Sequence, residues 1–181
     1  MTTVAICSET GDEPRGWRNE ARRLKDVAEL KKVMDGNIKR NPDYYRKRME
    51  LLDGFFEKHP SPVDIVIVLY GALYDAHHLA YHIEGNNLLF YRPKVSHRRV
   101  VNAPFLDGDA HPERTLLIFD SDMLTGNSMR ETSDYFTGLG YDRSKMFGYL
   151  DEGYRWRQFR TPQLMQVDDL LKKWPVSCLD Q

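Results

Sequence analysis

Thr115-Leu116-Leu117-Ile118-Phe119-Asp120-Ser121-Asp122-Met123-Leu124-Thr125-Gly126-Asn127-Ser128 is the stretch that decides the fold. Thr115 to Phe119 is an apolar run without alternation, the pattern of a strand buried on both faces of a parallel sheet. Carboxylates follow at the strand end, then a Thr-Gly turn, then a helical pattern from about Ser128 to Leu139. In open α/β sheets ligands bind at such strand ends. Backbone N–H groups at Gly126, Asn127 and Ser128, the positive end of the helix dipole, and the hydroxyls of Thr125 and Ser128 converge on one point suited to a phosphate. Asp120 suits sugar hydroxyls or a magnesium ion, which prefers oxygen ligands. By itself the Thr-Gly turn reads equally well as a helix cap.

Outward from this stretch the same grammar repeats. Asp64 to Leu69 is a second β-branched run, Gly71 turns the chain, and Ala72, Leu73, Ala76, Leu79, Ala80 and Ile83 share one helical face, with Gly85-Asn86 as its stop. Strands are expected at Asn87 to Tyr91 and Lys145 to Leu150, and a short one at Arg99 to Ala103 inside an otherwise mobile loop. Repeated strand–helix–strand units imply an α/β fold with a mainly parallel central sheet and helices on both faces. Before it lies a helical N-terminal addition. Trp17, Ala21, Leu24, Ala28 and Lys31 to Met34 recur at helical spacing up to a stop at Gly36-Asn37. Asn41-Pro42 then starts a helix, by N-cap and N1 proline, that ends near His59. Val4 to Cys7 reads as a strand. The expected organisation is one domain: 1–60 the helical addition, 61–150 the core, 151–181 a C-terminal cap.

With its flanks, Asp120 to Ser128 resembles the signature of type I phosphoribosyltransferases: an apolar strand, two acidic residues, three variable ones, Thr-Gly, one variable and Thr or Ser. Asp120, Thr125, Gly126 and Ser128 fit. Ser121 replaces the second acid, and Leu124 stands where purine-salvage members often carry Asp. Upstream, Val68-Leu-Tyr70-Gly71-Ala72 before a helix looks like the family's pyrophosphate loop, with Tyr70 and Ala72 departing from its usual residues. Arg130-Glu-Thr and Leu139-Gly140 also look like the family, so the resemblance spans about Asp64 to Leu150. It implies a phosphoribosyltransferase-like core binding phosphoribosyl pyrophosphate, or a nucleotide 5′-phosphate, with magnesium, and transferring the phosphoribosyl group to or from a nitrogen base. Asp120 would hold ribose hydroxyls and metal, with Asp122 beside it in the catalytic acidic pair. Thr125 to Ser128 would hold the 5′-phosphate and Tyr70, Gly71 and Ala72 the pyrophosphate. Arg92 and Lys94, with Arg98 and Arg99, would close over the leaving group from the loop.

Two other readings stay open. Asp120-Ser-Asp122 after an apolar strand also resembles the nucleophile motif of haloacid-dehalogenase-type phosphatases, although Met123-Leu124 replaces the expected Gly-Thr. A non-catalytic sensor of nucleotide or phosphoribosyl pyrophosphate is the third. Between Arg15 and Arg48 twelve bases face five acids, a net +7 that reads as a solvated helical face or a nucleic-acid patch. Asp75, His78 and His82 share a helical side and read as a solvated polar face or a metal site. Tyr149, Tyr154, Trp156 and Phe159 read as core or homodimer-interface aromatics, or as a base-stacking set. An overall net charge of −1 names no partner. Two cysteines without metal spacing, no secretory signal and no long apolar run predict a cytoplasmic, non-membrane protein.

Overall fold

A computed structural model of the chain describes residues 16–60, 62–69, 71–96, 99–100, 103–120, 126–151 and 162–173. The strand expected at Val4 to Cys7 lies outside them. Three helices come first: α1 (Trp17–Lys25), α2 (Val27–Arg40) and α3 (Pro42–Lys58). The helical stripe beginning at Trp17 is split at Asp26, whose carboxylate caps the new helix by accepting the Glu29 N–H at 3.1 Å. Gly36-Asn37 does not stop α2. Arg40 bridges that weak turn, donating from Nε to the Gly36 carbonyl (3.2 Å) and from Nη2 to Asn37 Oδ1 (2.8 Å). Asn41 caps α3 ahead of Pro42, as its sequence dictates.

A six-stranded sheet follows, built from β1 (Asp64–Val68), β2 (Asn87–Arg92), β5 (Phe105–Asp107), β6 (Leu116–Asp120), β7 (Met146–Leu150) and β8 (Gln163–Gln166) in the spatial order β5-β2-β1-β6-β7-β8. The four central strands are parallel and the two edge strands antiparallel. A separate two-stranded hairpin, β3 (Val95–Ser96) and β4 (Arg99–Val100), projects beyond β2. β4 falls at the start of the strand expected at Arg99 to Ala103, of which residues 101 and 102 lie outside the described residues. β5, β8 and the closing helix α6 (Val167–Lys172) were not legible in the sequence. β5 and β8 are short edge strands whose pairing partners, not their composition, define them.

Helices cover both faces, and adjacent residues of β7 show how. Phe147 points to one side, where its ring meets Phe55 of α3 at 5.2 Å and His59 at 4.9 Å. Gly148 points to the other, where a Cβ would stand 2.7 Å from Leu170 of α6 and 3.1 Å from Met129 of α5 (Asn127–Gly138). Trp17 joins the first face through Phe90 and Phe105, and Tyr91 meets Tyr135 and Phe136 of α5 on the second. One apolar cluster runs from Trp17 to Leu171 through the sheet.

The helix expected from Ala72 to Ile83 is much shorter. α4 covers only Gly71–Asp75 and tightens into a 3-10 turn over Ala76–Leu79. Bonds from Ala80 to His77, His82 to Leu79 and Asn86 to Ile83 all close three residues apart. The His77 ring contacts the Tyr74 carbonyl at 3.0 Å and crowds the His78 ring at 4.4 Å, interactions that favour the tighter turn. At the far, N-terminal edge of the sheet, fully buried Asp64 accepts from Asn87 Nδ2 (3.1 Å), the His111 N–H (2.8 Å), Arg114 Nη1 (3.2 Å) and the Tyr141 hydroxyl. That network ties together the starts of β1 and β2 and the segment leading into β6. No described helix is long and apolar enough to cross a membrane.

Candidate functional site

Strand order places the site. From β1 the chain crosses by α4 to β2 on one side, and from β6 it crosses by α5 to β7 on the other, so the connections part between β1 and β6. A crevice opens at such a reversal, outside the carboxyl ends of the two strands. The Tyr70 to Ala72 segment leaves β1 there and the Asp120 to Ser128 segment leaves β6, so both loops singled out in the sequence issue from one place. Tyr70, Ser121, Asp122, Met123, Leu124 and Thr125 themselves lie outside the described residues, as do Arg98, Tyr154, Trp156 and Phe159.

Gly126 is the N-cap of α5 at φ 74°, a left-handed conformation that glycine adopts without a Cβ penalty. It carries no side chain to cap the first turn, and its carbonyl already accepts the Arg130 N–H at 2.9 Å. Asp120 is buried at 4% exposure and accepts from Ser128 Oγ at 2.9 Å. β6 ends on the α5 side, so the helix start folds back over its carboxylate. The Ser128 hydroxyl proton is thereby committed to Asp120. Among the described residues, the backbone N–H groups of the first turn remain as donors for an anion at this point.

Along the C-terminal edge of the sheet, β2, β1, β6 and β7 end at Arg92, Leu69, Asp120 and Asp151, taking the residue just past β1 and β7. Arg92 is not on a mobile loop, as expected, but is the last residue of β2, 7% exposed. Its Nε and Nη2 are buried with no hydrogen-bond partner among the described residues, a costly arrangement for a cation. The Tyr91 hydroxyl beside it is also buried and unpartnered, and burial raises its pKa. Lys94 keeps its side chain exposed while its backbone N–H donates to the Glu131 carboxylate of α5. Gly71 and Ala72 open α4 at the mouth of the crevice.

Past β7 stands a group that sequence reasoning missed. Asp151, 4% exposed, is held by Arg48 of α3 through Nε (2.9 Å) and Nη2, and His78 Nδ1 lies 3.2 Å away. Burial opposes ionisation of Asp151, but His78 and Arg48 outweigh it and hold its carboxyl down at about 2. The Tyr149 hydroxyl reaches Asp151 at 3.4 Å, and its ring stacks on Phe119 at 4.6 Å, so Tyr149 belongs to the core. Buried His78 and the half-buried His82, whose ring stacks on Phe56 and whose Nε2 contacts Asp53 at 2.8 Å, overturn the solvated polar face. The tightened turn spoils the helical spacing that suggested it. Among the described residues no cluster of His, Cys, Asp and Glu forms a metal site. Nothing local could have linked Arg48 to Asp151, 103 residues apart.

No family model matches the chain, and no curated protein matches it. Among solved structures, a hypoxanthine phosphoribosyltransferase from Staphylococcus aureus is similar in part, at 13% identity and a TM-score of 0.47 over 65% of this chain and 68% of that one. At that distance the chemistry has to come from the residues themselves.

Proposed function

We propose that the chain binds a phosphoribosyl compound in the crevice between β1 and β6, and that with magnesium it transfers the phosphoribosyl group between pyrophosphate and a nitrogen base. The observation that supports this best is a left-handed Gly126 at a helix start beside a strand-end Asp120, with a buried Arg92 whose Nε and Nη2 have no hydrogen-bond partner among the described residues at the same carboxyl edge of the sheet. In this reading the first-turn N–H groups take the 5′-phosphate. Asp120 orders ribose hydroxyls and magnesium, with Asp122 beside it, after releasing the Ser128 hydroxyl to the ligand. Arg92 takes a leaving-group phosphate, which would give its buried Nε and Nη2 the partner they lack among the described residues. The loop from Tyr70 to Ala72 lines the pyrophosphate between them, and Lys94 sits at its rim. The base nitrogen would attack the anomeric carbon as the bond to pyrophosphate breaks, with positive charge developing on the sugar. Positioning and charge are then the protein's contribution.

Pyrophosphate release from phosphoribosyl pyrophosphate, measured with magnesium against a panel of purine and pyrimidine bases, tests the reaction. Activity with at least one base that falls more than a hundredfold in Asp120→Asn is expected. Tight ligand binding without turnover on any base would move the protein to the sensor class, for which Ser121 in place of the second acid already speaks. Phosphomonoester hydrolysis requiring both Asp120 and Asp122 would replace the reading with phosphatase chemistry.

A further inference from the structure

The phosphoribosyl reading makes no use of the first two turns of α3, yet that element reaches the same edge of the sheet. Its Arg48 guanidinium is fixed from several sides. Nε and Nη2 hold buried Asp151, Nη1 donates to the Tyr44 carbonyl at 2.7 Å, and the guanidinium carbon lies 3.4 Å from the centroid of the Tyr44 ring. Tyr45 meets that ring edge-on, centroids 4.8 Å apart at 75°. With one face backed by a planar cation, Tyr44 is still 37% exposed, so part of the side chain stays open to solvent beside the guanidinium. None of the hydrogen bonds that hold Arg48 needs this ring, because the Tyr44 contribution comes from its backbone. Asp151 follows Leu150, the register partner of Asp120, so the ring and the proposed sugar site stand at neighbouring strand ends.

We infer that Tyr44 is a stacking platform for the planar heteroaromatic ring of the ligand, supplied by the N-terminal helical layer rather than by the α/β sheet. Aromatic side chains and guanidinium planes both stack on bases with little regard to sequence. A ring already immobilised by its contacts with Arg48 and Tyr45 loses little further freedom on binding. Its hydroxyl stays protonated at neutral pH, since burial and then the Asp151 charge push its pKa up to about 12, and it can donate to a ring carbonyl.

The inference rests on the phosphoribosyl reading, and calorimetry on the full chain separates the two. Ribose 5-phosphate and inosine 5′-monophosphate are titrated into wild type, Tyr44→Ala and Tyr44→Phe, with melting curves on the same samples. Tyr44→Ala should weaken inosine monophosphate at least fivefold, about 1 kcal/mol at 1.4 kcal/mol per tenfold, and leave ribose 5-phosphate unchanged. Tyr44→Phe should keep most of the ring's contribution. A loss under fivefold, or an equal loss on both ligands, overturns the platform and leaves the phosphoribosyl site standing. Wild type that binds neither ligand overturns both.

Discussion

Gly126 is the residue on which the proposed phosphate site depends. At φ 74° any L side chain is strained there, by roughly 1–2 kcal/mol. Gly126→Ala should therefore already lower stability, and Gly126→Val should in addition obstruct the first-turn N–H groups. Because each charge-assisted bond lost is worth roughly 1.5–3 kcal/mol, the valine variant should bind ribose 5-phosphate more than tenfold more weakly. Melting temperature and affinity measured together decide the point. A folded Gly126→Val protein with normal affinity would mean that the glycine serves helix entry alone. Asp120 is a different case. Its carboxylate is buried against Ser128, so Asp120→Asn changes an internal hydrogen bond as well as a ligand contact, and its stability has to be measured beside its activity.

At the scale of elements, two glycines show how tightly the layers meet. A Cβ on Gly108 would stand 2.8 Å from Leu89 Cδ2 and 2.9 Å from the Leu88 carbonyl oxygen, at a φ of 109°. Backbone cannot retreat as a side chain can, so Gly108→Ala should cost about 2–4 kcal/mol and lower the melting temperature by roughly 4–16 °C. At Gly148 the nearest atoms are the flexible ends of Leu170 and Met129, and Gly148→Ala should cost about 1 kcal/mol. Equal losses in thermal unfolding would contradict this picture of the close approach of Gly108, just past β5, to β2. The strands of the parallel core were legible because Asp64 to Leu69 and Thr115 to Phe119 are continuous apolar runs. The 3-10 turn at Ala76–Leu79 was not, since the His77 and His78 contacts that tighten it come from packing.

Across the whole molecule, Arg48 and Asp151 fasten the N-terminal helices to the C-terminal edge of the sheet. Arg48→Met would strand a buried carboxylate, with an expected loss of about 3–5 kcal/mol in urea unfolding; a loss below 1 kcal/mol would deny the pair this role. Acid should act in two stages. Burial, then the neighbouring His78, lowers the His77 pKa from its ordinary 6.5 to about 4, so between those values the unfolded chain binds the extra proton. Stability therefore falls as pH drops from 6.5 to 4, by on the order of 2 kcal/mol. Asp151 works in the window below, its contribution disappearing as pH falls from 3.8 to about 2. Urea midpoints at pH 7, 5.5 and 4 should show a flatter slope for His77→Gln than for wild type, and identical slopes would remove His77 from the account.

Local sequence by itself determined the alternation of helix and strand in the parallel core and the caps at Asn41-Pro42 and Gly126, and it pointed to Asp120 to Ser128 as the segment proposed here to hold a ligand. These follow from periodicity and backbone preference, which act over a few residues. Tertiary structure alone decided that Arg92 is a buried strand residue, that Asp120 is covered by Ser128, and that Arg48, His78 and Asp151 meet. Those facts depend on which strand ends lie side by side and on which face each helix covers. Charge pairing between residues 103 positions apart leaves no local mark on composition or spacing, because its energy exists only after the sheet has assembled.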